Sequence, residues 1–71
     1  MNFTVEIASV PDRDEVVAEV WWGDTMVAEM RRVKGQLLID IYPAESGAMW
    51  SFDLQSWLRA LAEAQRRLEL T

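Results

Sequence analysis

The chain contains no cysteine and no histidine among its 71 residues. The lack of cysteine excludes disulfides, Cys-ligated zinc sites and thiol nucleophiles. The lack of histidine removes the commonest metal ligand and the commonest general base of enzymes. Catalysis would have to rely on carboxylates, Lys, Arg, Ser, Thr or Tyr, and the sequence contains no motif that arranges them for it. We therefore expect a non-enzymatic protein without a cofactor or a bound metal.

Positive charge is also scarce. The chain has seven Lys and Arg residues and twelve Asp and Glu residues, which gives a formal net charge of −5. Nucleic acids and anionic membranes both bind cationic surfaces, so we expect direct binding to neither. No apolar run approaches the roughly 20 residues that span a bilayer. The first residues lack the basic start and the apolar segment of an export signal. We expect a cytoplasmic protein whose natural partner is a basic protein surface.

Only three Gly and two Pro interrupt the chain, and they help to divide its first part into four short segments. Within each segment apolar and polar residues alternate, as in half-buried β-strands. The segments cover residues 2–10, 15–22, 25–32 and 36–42. The turn residues that follow them are Pro11-Asp12, Gly23-Asp24, Lys34-Gly35 and Pro43. Strands this closely spaced form a meander of antiparallel hairpins.

The last part of the chain has a helical period instead. Apolar residues recur there at spacings of three and four, at Leu54, Trp57, Leu58, Leu61, Ala64 and Leu68. Asp53 is a suitable N-cap, and Phe52 with Trp57 matches a hydrophobic staple. About 17 residues at roughly 1.5 Å each are long enough to cross four strands spaced about 4.8 Å apart. The sequence therefore predicts one α+β domain over residues 1–71, a four-stranded antiparallel β-meander with one C-terminal α-helix packed across one face (ββββα).

The strand register can be predicted from the apolar residues, since a slip of one residue exchanges the two faces of a strand. Turns at residues 10–13, 23–25 and 32–35 align three wholly apolar rows. These rows are Val5, Ala18, Met30, Leu37; then Phe3, Val20, Ala28, Ile39; then Met1, Trp22, Met26, Ile41. The same register sets Glu19 opposite Glu29, where like charges destabilise a sheet. A two-residue turn at Gly23-Asp24 would be the commoner hairpin and would remove that pairing.

The sheet face without the helix is the candidate binding site. Adjacent strand residues point to opposite faces, so Trp21 and Trp22 cannot both enter the core. The predicted partner-binding residues are Trp21, Glu19, Glu29, Asp40, Glu6, Val17, Val27, Leu38 and Tyr42. The apolar members would form a patch with a charged rim, and a cation from Arg31, from a partner or from a metal ion would suit the carboxylates. The plain alternative is an ordinary solvated sheet face.

In size, acidity and lack of Cys and His, the chain is similar to small bacterial or phage proteins that neutralise a larger basic target. Immunity proteins of toxin pairs and phage-encoded inhibitors of host nucleases are examples, although the resemblance covers no motif and transfers no site residue. It implies an inhibitor or immunity-type module whose partner is a toxin, nuclease or similar target. Two alternatives stay open: a structural homodimer through the same face, and mimicry of DNA by a row of carboxylates.

Overall fold

Four strands and one helix make up the protein in its computed structural model, which describes residues 2–11 and 15–71. They are β1 (Phe3–Val10), β2 (Glu15–Trp22), β3 (Thr25–Val33), β4 (Gln36–Ile41) and α1 (Leu54–Glu69). The strands form one antiparallel sheet in the order β1-β2-β3-β4, and α1 packs on one side of it. The predicted ββββα fold is confirmed.

The core lies between α1 and the sheet, and it is built largely from small and β-branched residues. Its buried members are Val5, Ala18, Val20, Val27, Ala28 and Met30 from the strands, with Ala60, Ala64 and Leu68 from the helix. Alanines on both surfaces let the helix approach the sheet closely. The helix contacts β1 and β2, touches β3 less, and within the described residues does not reach β4. Although α1 is long enough to cross four strands, it lies mainly over β1 and β2.

The start of α1 has the predicted cap. The Asp53 carboxylate accepts hydrogen bonds from the Ser56 N–H at 2.9 Å and from the Ser56 hydroxyl at 3.0 Å. These bonds stabilise the charged carboxylate and lower the pKa of Asp53 below its ordinary value. Phe52 and Trp57 stack with ring centroids 5.4 Å apart, which confirms the staple.

An aromatic cluster joins the start of α1 to the sheet. Phe3 of β1 lies 4.7 Å from Trp22 and 4.8 Å from Phe52, between ring centroids. Trp50 stacks on Phe52 at 5.2 Å, and its indole N–H donates to the Tyr42 carbonyl oxygen at 2.9 Å. The loop between β4 and α1 is therefore held at both the strand end and the helix start.

The two outer hairpins pair two residues away from the predicted register. Val5 is opposite Val20 instead of Ala18, and Ala28 is opposite Ile41 instead of Ile39. A shift of two residues keeps every side chain on its predicted face, so the apolar layer survives the change. Met1 of the predicted rows, and residues 12 and 13 of the first predicted turn, lie outside the described residues.

The hairpin between β3 and β4 closes through two residues, Lys34 and Gly35, instead of the four predicted. Both have positive φ angles, 51° and 82°, as a type I′ turn requires. This turn is favoured because its twist matches the twist of the flanking strands. Lys34 thus carries the steric penalty of the left-handed region for a residue other than glycine.

The hairpin between β2 and β3 has a two-residue turn followed by a shift in register. Its turn has the two residues Gly23 and Asp24, so Trp22 pairs with Thr25. The register then shifts between Val20 and Trp21, and Val27 is the extra residue in β3. Beyond this irregularity the pairing is the one that a three-residue turn would have produced, so Glu19 lies opposite Glu29. Nearer the turn the predicted row was wrong, because Met26 lies opposite Trp21 instead of Trp22. The prediction of a three-residue turn was wrong, whereas the predicted carboxylate pair is present.

We expect Lys34→Asn to raise the free energy of unfolding by about 0.5 kcal/mol, because Asn tolerates the left-handed conformation better than Lys. Urea denaturation followed by circular dichroism measures the change. Lys34→Gln is the matched control, since it removes the same charge but keeps the backbone penalty. Equal stabilities of the two variants would contradict the turn assignment.

Candidate functional site

The side of the sheet opposite α1 is the candidate site, and we call it the helix-free face. Alternation along the strands places one side chain in two on this face. Its members include Thr4, Glu6 and Ala8 of β1; Glu15, Val17, Glu19 and Trp21 of β2; Glu29 and Arg31 of β3; Leu38 and Asp40 of β4. Tyr42 follows at the rim, because its N–H donates to the Val27 carbonyl oxygen at 2.9 Å and continues the pairing.

Four carboxylates form one straight line across this face. Glu6 is opposite Glu19, Glu19 is opposite Glu29, and Glu29 is opposite Asp40, so each strand contributes one acid. We call this line the carboxylate row. At a strand spacing of about 4.8 Å it extends over about 14 Å. The predicted register had distributed these acids over three rows, and the shift of both outer hairpins brings them together.

An ion pair neutralises one end of the carboxylate row. Arg31 Nε donates to Asp40 Oδ2 at 2.8 Å. This hydrogen bond and the charge of Asp40 raise the pKa of Arg31, and the charges of Glu15 and Glu29 add to the effect. Arg31 was one candidate cation for the Glu19 and Glu29 pair, but its hydrogen bond goes to Asp40. The negative charge of the row is therefore concentrated on Glu6, Glu19 and Glu29 of β1, β2 and β3.

Trp21 lies beside the middle of the carboxylate row. Its indole N–H donates to Glu19 Oε1 at 3.2 Å, and both residues are half-buried. Trp22 turns to the other side and joins the aromatic cluster. The expectation that one tryptophan lies on the far face is confirmed. The hydrogen bond orients the indole, so an aromatic surface is held next to the acidic groups.

The nine predicted partner-binding residues differ in how far a partner could reach them. Val17 is only 1% exposed, and Val27 is 0% exposed and belongs to the core cluster, so neither presents its side chain on the surface of the helix-free face. Leu38 is 37% exposed. Glu6 is exposed, and Glu19, Glu29, Asp40, Trp21 and Tyr42 are half-buried. The sequence pattern assigns residues to a face, but it does not show which of them their neighbours cover.

On the helix side of the sheet, two apolar residues of β4 are exposed, which the sequence did not predict. Ile39 and Ile41 belong to the predicted core rows, yet they are 39% and 60% exposed. They remain uncovered because α1 lies over β1 and β2. No signal in the sequence separates the β4 row from the buried rows, since all of them are equally apolar.

The chemistry available on the helix-free face is recognition by charge and by aromatic surface. Across residues 2–11 and 15–71, no group of three or more carboxylates is placed to hold a metal ion. In the same residues no helix has the length and apolar character that crossing a membrane demands.

We expect Glu19→Gln to raise the free energy of unfolding by up to about 1 kcal/mol, because it removes repulsion from both neighbours in the carboxylate row. Gln keeps an oxygen that can accept from the Trp21 indole. Thermal unfolding should show a rise of up to about 4–8 °C in the midpoint. Glu45→Gln, an exposed change in the loop before α1, is the control and should leave the midpoint unaltered. A lower midpoint for Glu19→Gln would show that the row does not strain the fold.

Comparisons with known proteins identify no relative. No family model, no curated protein and no solved structure matches the chain. Functional conclusions therefore rest on the geometry and charge of the helix-free face.

Proposed function

We propose that the protein is a non-enzymatic binding module, a small inhibitor or immunity-type protein that docks a basic partner surface through its helix-free face. The proposal includes a cytoplasmic location, which the absence of cysteine is compatible with. The basic partner would be a toxin, a nuclease or a similar target.

The carboxylate row is the observation that supports this proposal. Three like-charged groups, Glu6, Glu19 and Glu29, follow one another at strand spacing, and the only cation within hydrogen-bond reach of the row, among the described residues, pairs with Asp40. Such an arrangement destabilises the free protein. A Lys or Arg side chain from a partner would relieve the repulsion, so part of the electrostatic strain of the free protein becomes binding energy.

The aromatic residues beside the row would supply most of the affinity. Trp and Tyr are the residue types most enriched at energetic hot spots of interfaces. Trp21 is oriented by its bond to Glu19, and the Tyr42 backbone is held by Val27 and Trp50. Side chains that are already ordered lose little conformational entropy on binding. The charges would mainly accelerate association and select the partner.

A nuclease is a suitable class of target because surfaces that contact phosphates carry clustered Lys and Arg. Mimicry of DNA by the carboxylate row is a form of the same proposal. The alternative of a homodimer through this face is disfavoured, because among the described residues the face carries the four acids of the carboxylate row, and Arg31 pairs with one of them, Asp40. Docking such a face onto its own copy would bring like charges together.

The experiment is a capture of basic proteins from a cell extract on the immobilised protein, followed by kinetics with the captured partner. We expect the Trp21→Ala, Glu19→Lys double variant to lose the partner. A Leu70→Ala, Glu45→Lys double variant makes the same two kinds of change at exposed positions off this face and should retain it. Circular dichroism verifies that both variants are folded.

In the kinetics, Trp21→Ala should raise Kd about 30-fold or more, mainly through faster dissociation. Glu19→Gln should lower the association rate, and added salt should lower it further. An association rate independent of salt, or an unchanged Kd for Trp21→Ala, would refute the proposal.

A further inference from the structure

An apolar groove runs between α1 and β4 on the helix side of the sheet, and we call it the β4 groove. Met30, Leu37 and Ile39 form its floor, while Leu58 and Leu61 form its wall. Ile39, Ile41 and Leu58 remain 39%, 60% and 49% exposed. Of the described residues that line the groove, none is charged. The groove shares Leu38 with the helix-free face, but its floor and wall lie on the helix side of the sheet and are not used by the proposed function.

The backbone of β4 offers hydrogen bonds along the open edge of the sheet. Because the Tyr42 N–H donates to Val27 in β3, positions two and four residues earlier in β4 direct their backbone groups toward β3 as well. The intervening residues, Leu37, Ile39 and Ile41, direct their N–H and C=O groups away from the sheet. These are the same residues whose side chains lie on the helix side.

The opposite edge of the sheet is protected, and β4 is not. At β1 the Arg67 guanidinium donates to the Val5 carbonyl oxygen, and Arg59 and Glu63 line the same side. Natural edge strands are usually blocked by charges, prolines or bulges. β4 has no Lys and no Pro, and its one charge, Asp40, is paired with Arg31 inside the monomer.

We propose that β4 pairs antiparallel with β4 of a second copy across a two-fold axis, so that two sheets become one sheet of eight strands. Ile39 lies on the axis opposite Ile39 of the second copy, and Leu37 lies opposite its Ile41. In this register the outward backbone groups of all three residues are satisfied. Their side chains stay on the helix side in both copies, so the floors of the two β4 grooves join.

A second copy fits this edge better than a foreign partner because the surface is complementary to itself. In an isologous contact the same patch serves both subunits. Here Leu37, Ile39 and Ile41 of one copy would contact the same three residues of the other. Each copy has a formal net charge of −5, so two copies can approach closely only where the charge is locally balanced. The β4 edge meets that condition, since Arg31 neutralises Asp40.

The dimer is independent of the proposed function and compatible with it. A two-fold axis perpendicular to the sheet places both helices on one side and both helix-free faces on the other. Two carboxylate rows would then be presented on one continuous surface. A basic partner with two sites would gain from the linkage.

The test is the molar mass of the full chain by sedimentation equilibrium over a range of concentrations. We expect the wild type to approach twice 8.2 kDa at high micromolar concentration. Ile39→Pro removes an outward N–H of β4 without breaking a hydrogen bond inside the monomer. Ile41→Lys places a charge among the apolar side chains that the two copies would bring together. Each should raise the dimer Kd at least about tenfold.

Two control variants make the same changes elsewhere. Ser9→Pro lies on the exposed β1 edge, and Leu70→Lys replaces an apolar side chain that is 73% exposed; both should leave the mass unchanged. If Ile39→Pro does not fold by circular dichroism, Ile41→Lys decides the result, since its side chain is mostly outside the core.

A wild type that remains monomeric at every concentration would overturn the proposal, and the groove would then be left for another protein. A dimer that survives Ile41→Lys but is lost in Trp21→Ala would also overturn it and would assign the contact to the helix-free face. Loss of partner capture with an intact dimer would contradict only the proposed function.

Discussion

The extra residue in β3 is the constraint on which the arrangement of this protein depends. Gly23 and Asp24 favour a two-residue turn, which alone would set apolar residues of β2 against polar residues of β3. Val27 absorbs the mismatch of one residue, so that Val20 meets Ala28 on the core side and Glu19 meets Glu29 on the other. The apolar layer and the carboxylate row thus have a common origin, because one irregularity places both.

The stability of the domain and its capacity for binding are in opposition on the helix-free face. Burial of the apolar layer under α1 drives folding, while the carboxylate row opposes it. The opposition is tolerable because side-by-side carboxylates in water repel by only a few tenths of a kcal/mol up to about 1 kcal/mol per pair. Under the proposed function, a partner that supplies cations would convert the same repulsion into affinity.

The half coverage of the sheet creates two unlike surfaces. One is acidic and aromatic, and suits a basic partner that is steered over long distances by charge. The other is apolar, with an unprotected strand edge, and suits a contact made through backbone hydrogen bonds and side-chain packing. Since they lie on opposite sides of the sheet, occupation of one does not block the other.

The amino-acid sequence by itself determined the class of the fold, the extent of each strand and helix, the cap at Asp53 and the face on which almost every side chain lies. These follow from local periodicity and turn chemistry, which are properties of neighbouring residues. It did not determine the pairing of the strands, because rows such as Val5 with Ala18 and Val5 with Val20 are equally apolar. Turn geometry and the packing of α1 chose between them. Only the tertiary structure therefore aligned four carboxylates in one row, buried Val17 and Val27, and left Ile39 and Ile41 at an open edge, since each outcome depends on contacts between residues distant in the chain.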